Sequence, residues 1–132
     1  MEVESNMFPL IGLILGLIIG LLMNVNIPAA YSSYVAVGIL AALDSVIGAL
    51  TASLQNKFNA RLFITGFFGN SLIAVAITAL GDQLNLPLSL AAVFAFGNRI
   101  FINFSMIRRL MLDRWDEKRK KQHKALSQDQ RK

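Results

Sequence analysis

Residues 34–54 read YVAVGILAALDSVIGALTASL, and this stretch decides the fold. Asp44 is the only charged residue among these 21 positions. A run of about 20 predominantly apolar residues is long enough to cross the hydrocarbon core of a bilayer, which is roughly 30 Å thick. Because lipid offers the backbone no hydrogen-bonding partners, a single spanning segment satisfies its own peptide groups as a helix. The stretch therefore predicts a transmembrane helix.

Three more apolar runs surround this stretch, at residues 7–23, 62–80 and 88–107. The connections between the runs contain proline, asparagine and glycine, which are typical of turns and helix ends. The sequence therefore predicts an all-α integral membrane bundle of four transmembrane helices. These helices form one domain over residues 7–107, after a short N-terminal segment at residues 1–6.

Charged side chains are concentrated at the C-terminal end. Residues 1–107 hold three basic and four acidic side chains, whereas residues 108–132 hold ten basic and four acidic ones. A body with so few charges cannot cover itself with polar groups, which excludes a soluble enzyme with a water-facing surface. We expect a basic cytoplasmic helix over residues 108–124 and a flexible tail over residues 125–132.

The distribution of lysine and arginine predicts the orientation in the membrane. The connection between the second and third runs contains Lys57 and Arg61, whereas the other two connections contain no basic residue. Cytoplasmic loops carry an excess of basic residues. With the strongly basic C-terminal end also cytoplasmic, four spans place both termini and the Lys57 connection in the cytoplasm.

Few groups in the sequence suit catalysis or metal binding. There is no cysteine, and the one histidine, His123, lies in the basic tail. The membrane body therefore lacks both a cluster of metal ligands and a nucleophile paired with a histidine base. We predict a protein that is not an enzyme and has no catalytic residue, metal or cofactor.

Small residues repeat at four-residue spacing, which places them on one face of a helix. Gly12, Gly16 and Gly20 form such a ridge in the first run, and Gly48 and Gly66 belong to similar faces of the second and third. Small residues let membrane helices approach each other closely. We predict that these five glycines mediate helix packing, either within one chain or between copies in a homo-oligomer.

Polar residues within the runs share one depth. Counted along the helices at 1.5 Å per residue, Asp44, Asn70 and Arg99 all lie about 15 Å below the outer boundary. Asn98 adjoins this intramembrane polar layer, and Asn103 lies one turn deeper on the Arg99 face. Charges at this depth are costly unless they are paired or hydrated.

Two interpretations of the polar layer remain open. In the first, Asp44 and Arg99 form a structural clamp, and Asn70 and Asn103 fill the remaining hydrogen-bonding positions of the carboxylate and guanidinium. In the second, the layer is a substrate, ion or proton site at the middle of the membrane. The balanced charges favour the clamp, because no second carboxylate or histidine is available to relay a proton.

The basic segment begins with residues suited to the lipid headgroup zone. Arg108, Arg109 and Arg114 fall where anionic phosphates would lie, and Trp115 has the amphipathic ring that collects at membrane interfaces. We predict contact with anionic headgroups here, and a cytoplasmic protein partner is a second use of the segment. Nucleic acid is not expected, since no aromatic platform accompanies the basic residues.

Several short motifs occur in a fixed order within residues 8–115. They are Ile27-Pro28, Tyr31-Ser32-Ser33-Tyr34, Ala41-Ala42-Leu43-Asp44, Gly66-Phe67-Phe68, Phe94-Ala95-Phe96-Gly97-Asn98-Arg99-Ile100-Phe101 and Ile107-Arg108-Arg109. In these motifs the chain resembles the bacterial small basic protein (Sbp) family. That resemblance implies a multi-pass protein of the bacterial cytoplasmic membrane, without a known molecular activity, encoded near cell-division genes.

Two functions follow from these patterns. The first is a non-enzymatic membrane scaffold or adaptor whose helices associate with another copy or with a membrane-protein partner, and the family resemblance implies a link to cell division or envelope processes. The second is a small transporter or transporter subunit that uses the polar layer as its site. Four helices are few for alternating access by one chain, so the second function would require self-association.

Overall fold

The computed structural model describes residues 8–131, and within that range the chain is helical with no strand. This confirms the all-α class. The predicted N-terminal segment at residues 1–6 lies outside the described residues. The four helices are α1 (Phe8–Leu22), α2 (Ala29–Leu54), α3 (Ala60–Leu84) and α4 (Ser89–Asp129).

Helix α2 is the centre of the fold. It packs along both α3 and α4, whereas α3 and α4 touch each other much less and α1 meets α2 only over a short length. The buried apolar cluster is small and comes from the three longer helices. It consists of Val37, Ala41, Ala74, Ala92 and Phe96, with Leu40 packed against it.

The outer surface is strongly apolar. Large side chains such as Leu72 and Phe94 are more than 70% exposed, and an apolar surface this extensive is not stable in water. Helices α2, α3 and α4 are each long and apolar enough to cross a membrane. The described part of α1 is apolar but covers only 15 residues, about 22 Å. These features indicate a membrane protein.

Two helices extend beyond their predicted ends. Helix α2 begins at Ala29 rather than residue 34, because no helix-breaking residue follows Pro28. Helix α3 continues to Leu84 rather than ending at residue 80. Gly81 therefore lies inside its last turn, where the chain folds back so tightly that an added Cβ would lie 2.6 Å from the carbonyl oxygen of Leu86.

Helix α4 is one continuous rod of 41 residues, about 62 Å long. It includes the whole basic segment at residues 108–124. It also includes residues 125–129, which the sequence assigned to a flexible tail, so that assignment was wrong for these five positions. The physical reason is that Ala125, Leu126 and Gln128 are compatible with a helix and no glycine or proline stops it.

Candidate functional site

The charged pair of the polar layer is in contact. Arg99 Nε on α4 lies 3.4 Å from Asp44 Oδ1 on α2. The Asp44 side chain is fully buried, whereas the Arg99 side chain is 55% exposed. Helices α2 and α4 run in the same direction, and Asp44 and Arg99 lie at similar distances from the starts of the predicted spans, residues 34 and 88, although α2 itself begins five residues earlier, at Ala29. The contact is therefore an ion pair between a buried anion and a cation at the edge of the bundle.

The predicted hydrogen bonds around the pair are not formed. Neither oxygen of Asp44 accepts a hydrogen bond from a described residue, so Asn70 and Asn103 do not donate to the carboxylate as the clamp required. Asn70 faces the same cleft as the pair. Asn103 lies beside Gly48, with its Nδ2 3.9 Å from the position of a Cβ there. Asn98 is exposed on the surface of α4.

Ser45 places a second buried polar side chain next to the ion pair. Ser45 Oγ is buried and, like the Asp44 oxygens, has no hydrogen-bond partner among the described residues. Buried polar groups in proteins are nearly always hydrogen-bonded, and each one left unpaired costs about 1–3 kcal/mol. Three buried oxygens without a hydrogen bond at one place therefore mark the middle of α2 as a candidate site. Sequence reasoning missed Ser45 because serine is common in membrane helices.

A cleft of about 260 Å³ leads to these groups. It runs between α2 and α3 from the connection that holds Lys57 and Asn59 to the polar layer. Along α3 this path covers the eleven residues from Asn59 to Asn70, about 16 Å. One wall is aromatic and the other is formed by small residues. The lining includes Asp44, Ser45, Asn70 and Arg99 at the inner end, Phe58, Phe63 and Phe67 on the aromatic wall, and Gly48, Ala49, Ala52 and Gly66 on the remaining sides.

Gly48 and Gly66 both line the cleft. An added Cβ at Gly66 would meet no described atom within 4 Å outside the backbone of its own helix. At Gly48 it would lie 3.9 Å from Asn103 Nδ2 of α4, which is an ordinary van der Waals distance. The missing side chains leave space open between α2 and α3, and the predicted packing role of the two glycines stays a prediction.

The glycine ridge of α1 is also unpacked within the chain. No described atom that packs from outside α1 lies within 4 Å of a Cβ added at Gly12, Gly16 or Gly20. Within the described residues the ridge therefore makes no packing contact inside the chain, and α1 meets α2 only over a short length. The alternative, contact between copies, remains a prediction.

Hydrogen bonds also tie α2 to its neighbours at both ends, and sequence reasoning did not find them. At one end, the half-buried Tyr34 hydroxyl on α2 donates to Asp82 Oδ2 on α3 at 2.6 Å. At the other end, Gln55 Nε2 lies 2.8 Å from Met106 Sδ. Pairs so far apart in sequence have no local signature, although Tyr34 and Asp82 were both placed at the outer boundary by the span assignment.

The predicted headgroup residues divide into two kinds. Arg108, Arg109 and Trp115 are exposed on α4. Arg114 instead donates from a terminal nitrogen to the carbonyl oxygen of Leu54, at 2.7 Å. The last carbonyls of a helix have no partner within it, and a cation there is favourable. Arg114 therefore links the C-terminal end of α2 to the basic half of α4 through this hydrogen bond.

The described residues include no group of three or more histidine, cysteine, aspartate or glutamate side chains placed to hold a metal ion. The candidate site therefore consists of one ion pair, one amide and one hydroxyl at the end of an aromatic cleft. Such a site can bind and orient a small molecule through hydrogen bonds.

Comparison with known proteins relates this chain to one family. Residues 27–112 match the family described as "Protein of unknown function (DUF1290)". The chain is 43% identical over 107 residues to "Small basic protein" of Bacillus subtilis (strain 168), which covers 81% of this chain and 88% of that protein. The shared region includes the polar layer and every residue that lines the cleft.

Mycobacterial proteins are similar as well. An uncharacterized protein of Mycobacterium bovis is 35% identical over 107 residues, which is 80% of this chain and 88% of that protein. A protein of Mycobacterium tuberculosis (strain H37Rv) matches with the same identity and coverage. The names of these relatives describe no enzymatic activity. No solved structure matches the chain.

Proposed function

This chain belongs to the small basic protein family, and we propose that it is a non-enzymatic scaffold or adaptor in the bacterial cytoplasmic membrane. In this proposal α1 is a fourth span and both termini are cytoplasmic. The basic half of α4 meets anionic headgroups, and the membrane half associates with a second copy or with a membrane-protein partner. The family resemblance favours a link to cell division or envelope processes.

The observation that carries the proposal is the exposure of polar groups on the membrane half of α4. Arg99 is 55% exposed, and the neighbouring Asn98 is exposed without lining the cleft. A guanidinium or amide at mid-depth is costly against hydrocarbon. Polar groups on a membrane helix are typically covered by another helix that offers hydrogen bonds. A second protein chain against this face removes the cost.

The unpacked ridge on α1 supports the same proposal. Gly12, Gly16 and Gly20 keep one face of α1 flat, and none of the other three described helices comes within 4 Å of a Cβ added there. In membranes, flat small-residue faces allow two helices to approach closely and gain dispersion energy. The chain therefore presents two surfaces suited to other helices, one polar on α4 and one flat on α1.

Photo-cross-linking in native membranes tests the proposal. A photoreactive benzoylphenylalanine replaces Asn98 in one variant and Leu72 in a matched control, because Leu72 is exposed on α3 and surrounded by an apolar surface. We expect protein adducts at position 98 and lipid adducts alone at position 72. An adduct of twice the 14.5 kDa chain mass identifies self-association. Protein capture at position 98 that is no greater than at position 72 would refute the proposal.

The cleft favours a second candidate, a small transporter or transporter subunit. It connects the Lys57 end of the bundle with the polar layer, as a substrate path would. Variants of the ion pair distinguish the two candidates. If the pair is structural, single substitutions lower the amount of protein in the membrane and the double substitution restores it. If the pair binds the substrate, the amount of protein in the membrane stays normal. Transport activity is then lost in both single variants and in the double variant.

A further inference from the structure

The cleft between α2 and α3 has the features of a binding site, independently of whether the chain acts as a scaffold. Its volume, about 260 Å³, is below the range of about 300–1,000 Å³ that is typical for drug-sized ligands. A cleft of this volume can hold a molecule with one ring and a short polar group. The phenylalanines of α3 form one wall, and glycine and alanine residues form the other. A cleft with one aromatic wall and one wall of small residues favours a flat ligand.

The inner end of the cleft carries both acceptors and donors. Asp44 contributes two buried oxygens that accept no hydrogen bond from a described residue, and Ser45 contributes a buried hydroxyl in the same state. Arg99 approaches Asp44 through Nε alone. The guanidinium has five N–H donors, so its terminal nitrogens remain available. An acceptor therefore lies directly beside a donor.

Charge restricts the ligand further. The Asp44 carboxylate and the Arg99 guanidinium neutralise each other, so a charged polar group would add an uncompensated charge at mid-depth. Such a charge is costly in the membrane. A group that donates to Asp44 and accepts from Arg99 without a net charge meets both conditions. Primary amides and lactam edges have this arrangement, since a carbonyl oxygen and an N–H lie side by side in one plane.

We propose that the cleft binds a small, planar, uncharged molecule whose amide or lactam edge pairs with Asp44 and Arg99. The molecule enters from the Lys57 end, and its ring lies between the phenylalanines of α3 and the small residues of α2. Its N–H donates to a free oxygen of Asp44, and its carbonyl accepts from a terminal nitrogen of Arg99. Asn70 and Ser45 line the same cleft and offer further polar groups to the molecule.

Two glycines of α3 provide a matched pair of variants for the test. Gly66 lines the cleft, whereas Gly69 does not. An added Cβ at either position meets no described atom within 4 Å outside the backbone of its own helix, so the first carbon of a larger side chain clashes at neither. Gly66→Leu fills the cleft, and Gly69→Leu adds the same bulk elsewhere on the helix. This design does not depend on variants of Asp44 or Arg99, which would disturb the fold.

The experiment measures saturation-transfer NMR of two soluble probes with the full chain in lipid vesicles. The probes are benzamide and N,N-dimethylbenzamide, which keeps the ring and carbonyl but has no N–H. We expect benzamide to bind roughly tenfold more tightly, because its N–H pairs with an otherwise unpaired buried oxygen. Wild type and Gly69→Leu should give the same saturation-transfer signal from benzamide. Gly66→Leu should give only the signal that arises from partitioning of benzamide into the lipid.

Two results would overturn the inference. Equal transfer to benzamide in Gly66→Leu and wild type would place the probe outside the cleft. Equal binding of the two probes would show that the donor edge is not recognised. Neither result bears on the scaffold proposal, whose test is the cross-linking at position 98.

Discussion

Helices α1 and α2 are both apolar, but the fold uses them differently. Helix α2 has six buried residues and packs along two neighbours. In α1, Leu13 is half-buried and the other side chains with a described exposure are exposed. The difference lies in what the two helices offer their neighbours. Helix α2 supplies small buried residues and an ion-pairing carboxylate, whereas α1 supplies glycines that no other described part of the chain approaches within 4 Å of an added Cβ.

This difference shows that hydropathy and packing are separate properties of a membrane helix. Apolar length decides whether a helix is stable in lipid. Because lipid is as apolar as the side chains, further association requires close steric fit or polar contacts. In this chain those contacts lie on α2, α3 and α4, so these three helices form the packed unit. Substitutions in that unit should therefore cost more than substitutions in α1.

The largest effect is expected at the ion pair that joins α2 to α4. Arg99→Gln leaves the Asp44 carboxylate buried without a counterion, and breaking a buried pair in this way costs roughly 3–5 kcal/mol. The cost should lie near the lower end because Arg99 is partly exposed. The double variant Asp44→Asn, Arg99→Gln removes both charges and should recover most of the loss. Thermal unfolding in mild detergent, followed by circular dichroism, measures the three stabilities.

The single and double variants serve as controls for each other. A double variant as unstable as Arg99→Gln would show that the pair does more than neutralise charge. A fully stable Arg99→Gln protein would contradict the structural importance of the pair.

A smaller effect is expected from alanine at two contrasting glycines. Gly81→Ala places a methyl group 2.6 Å from the Leu86 carbonyl oxygen, and forcing an atom into such a contact costs about 1–3 kcal/mol. Gly16→Ala places the same group where no atom lies within 4 Å and should leave stability unchanged. The unfolding midpoints of the two variants measure the contrast. Equal destabilisation by both would show that α1 is packed as tightly as the rest.

The smallest effect is expected where α4 holds the end of α2. Arg114→Gln removes the charged donor to the Leu54 carbonyl, and a cation at an exposed helix C-terminus is worth about 0.3–1 kcal/mol. Arg109→Gln, a change of the same chemistry on the same helix, is the control. We expect a lower unfolding midpoint for the first variant only, and more rapid amide exchange over the last turn of α2. Indistinguishable exchange in the two variants would argue against the contact.

The contact between Asp44 and Arg99 could be anticipated from the sequence because the position of a residue along a transmembrane helix gives its depth in the membrane. Each residue adds about 1.5 Å, so two charges at equal distances from the same membrane boundary lie at one level. The cost of an isolated charge in lipid then favours a contact between them. The same reasoning predicted Asn70 at that level, and the structure shows Asn70 in the lining of the cleft that holds the pair. Residue counting could not specify which way its amide points.

The cleft could not be anticipated in the same way. Glycines at four-residue spacing allow either a close contact or an open space, and the sequence is identical in both cases. Gly48 and Gly66 were predicted to mediate helix packing, and the structure places both in the lining of the cleft. The continuation of α3 past Gly81 was missed for a similar reason, since glycine commonly marks a helix end and here accommodates the returning chain.

The class of this protein, its apolar helices and the level of its charges are determined by the sequence alone. They depend on local composition and on the fixed rise of a helix, which need no knowledge of neighbouring segments. The tertiary structure decided that α2 is central, that α1 stands apart, and that the space between α2 and α3 ends at unpaired buried oxygens. Those features depend on the rotation of each helix about its axis and on the separation between helices. Both are set by side-chain contacts between residues that are distant in the sequence.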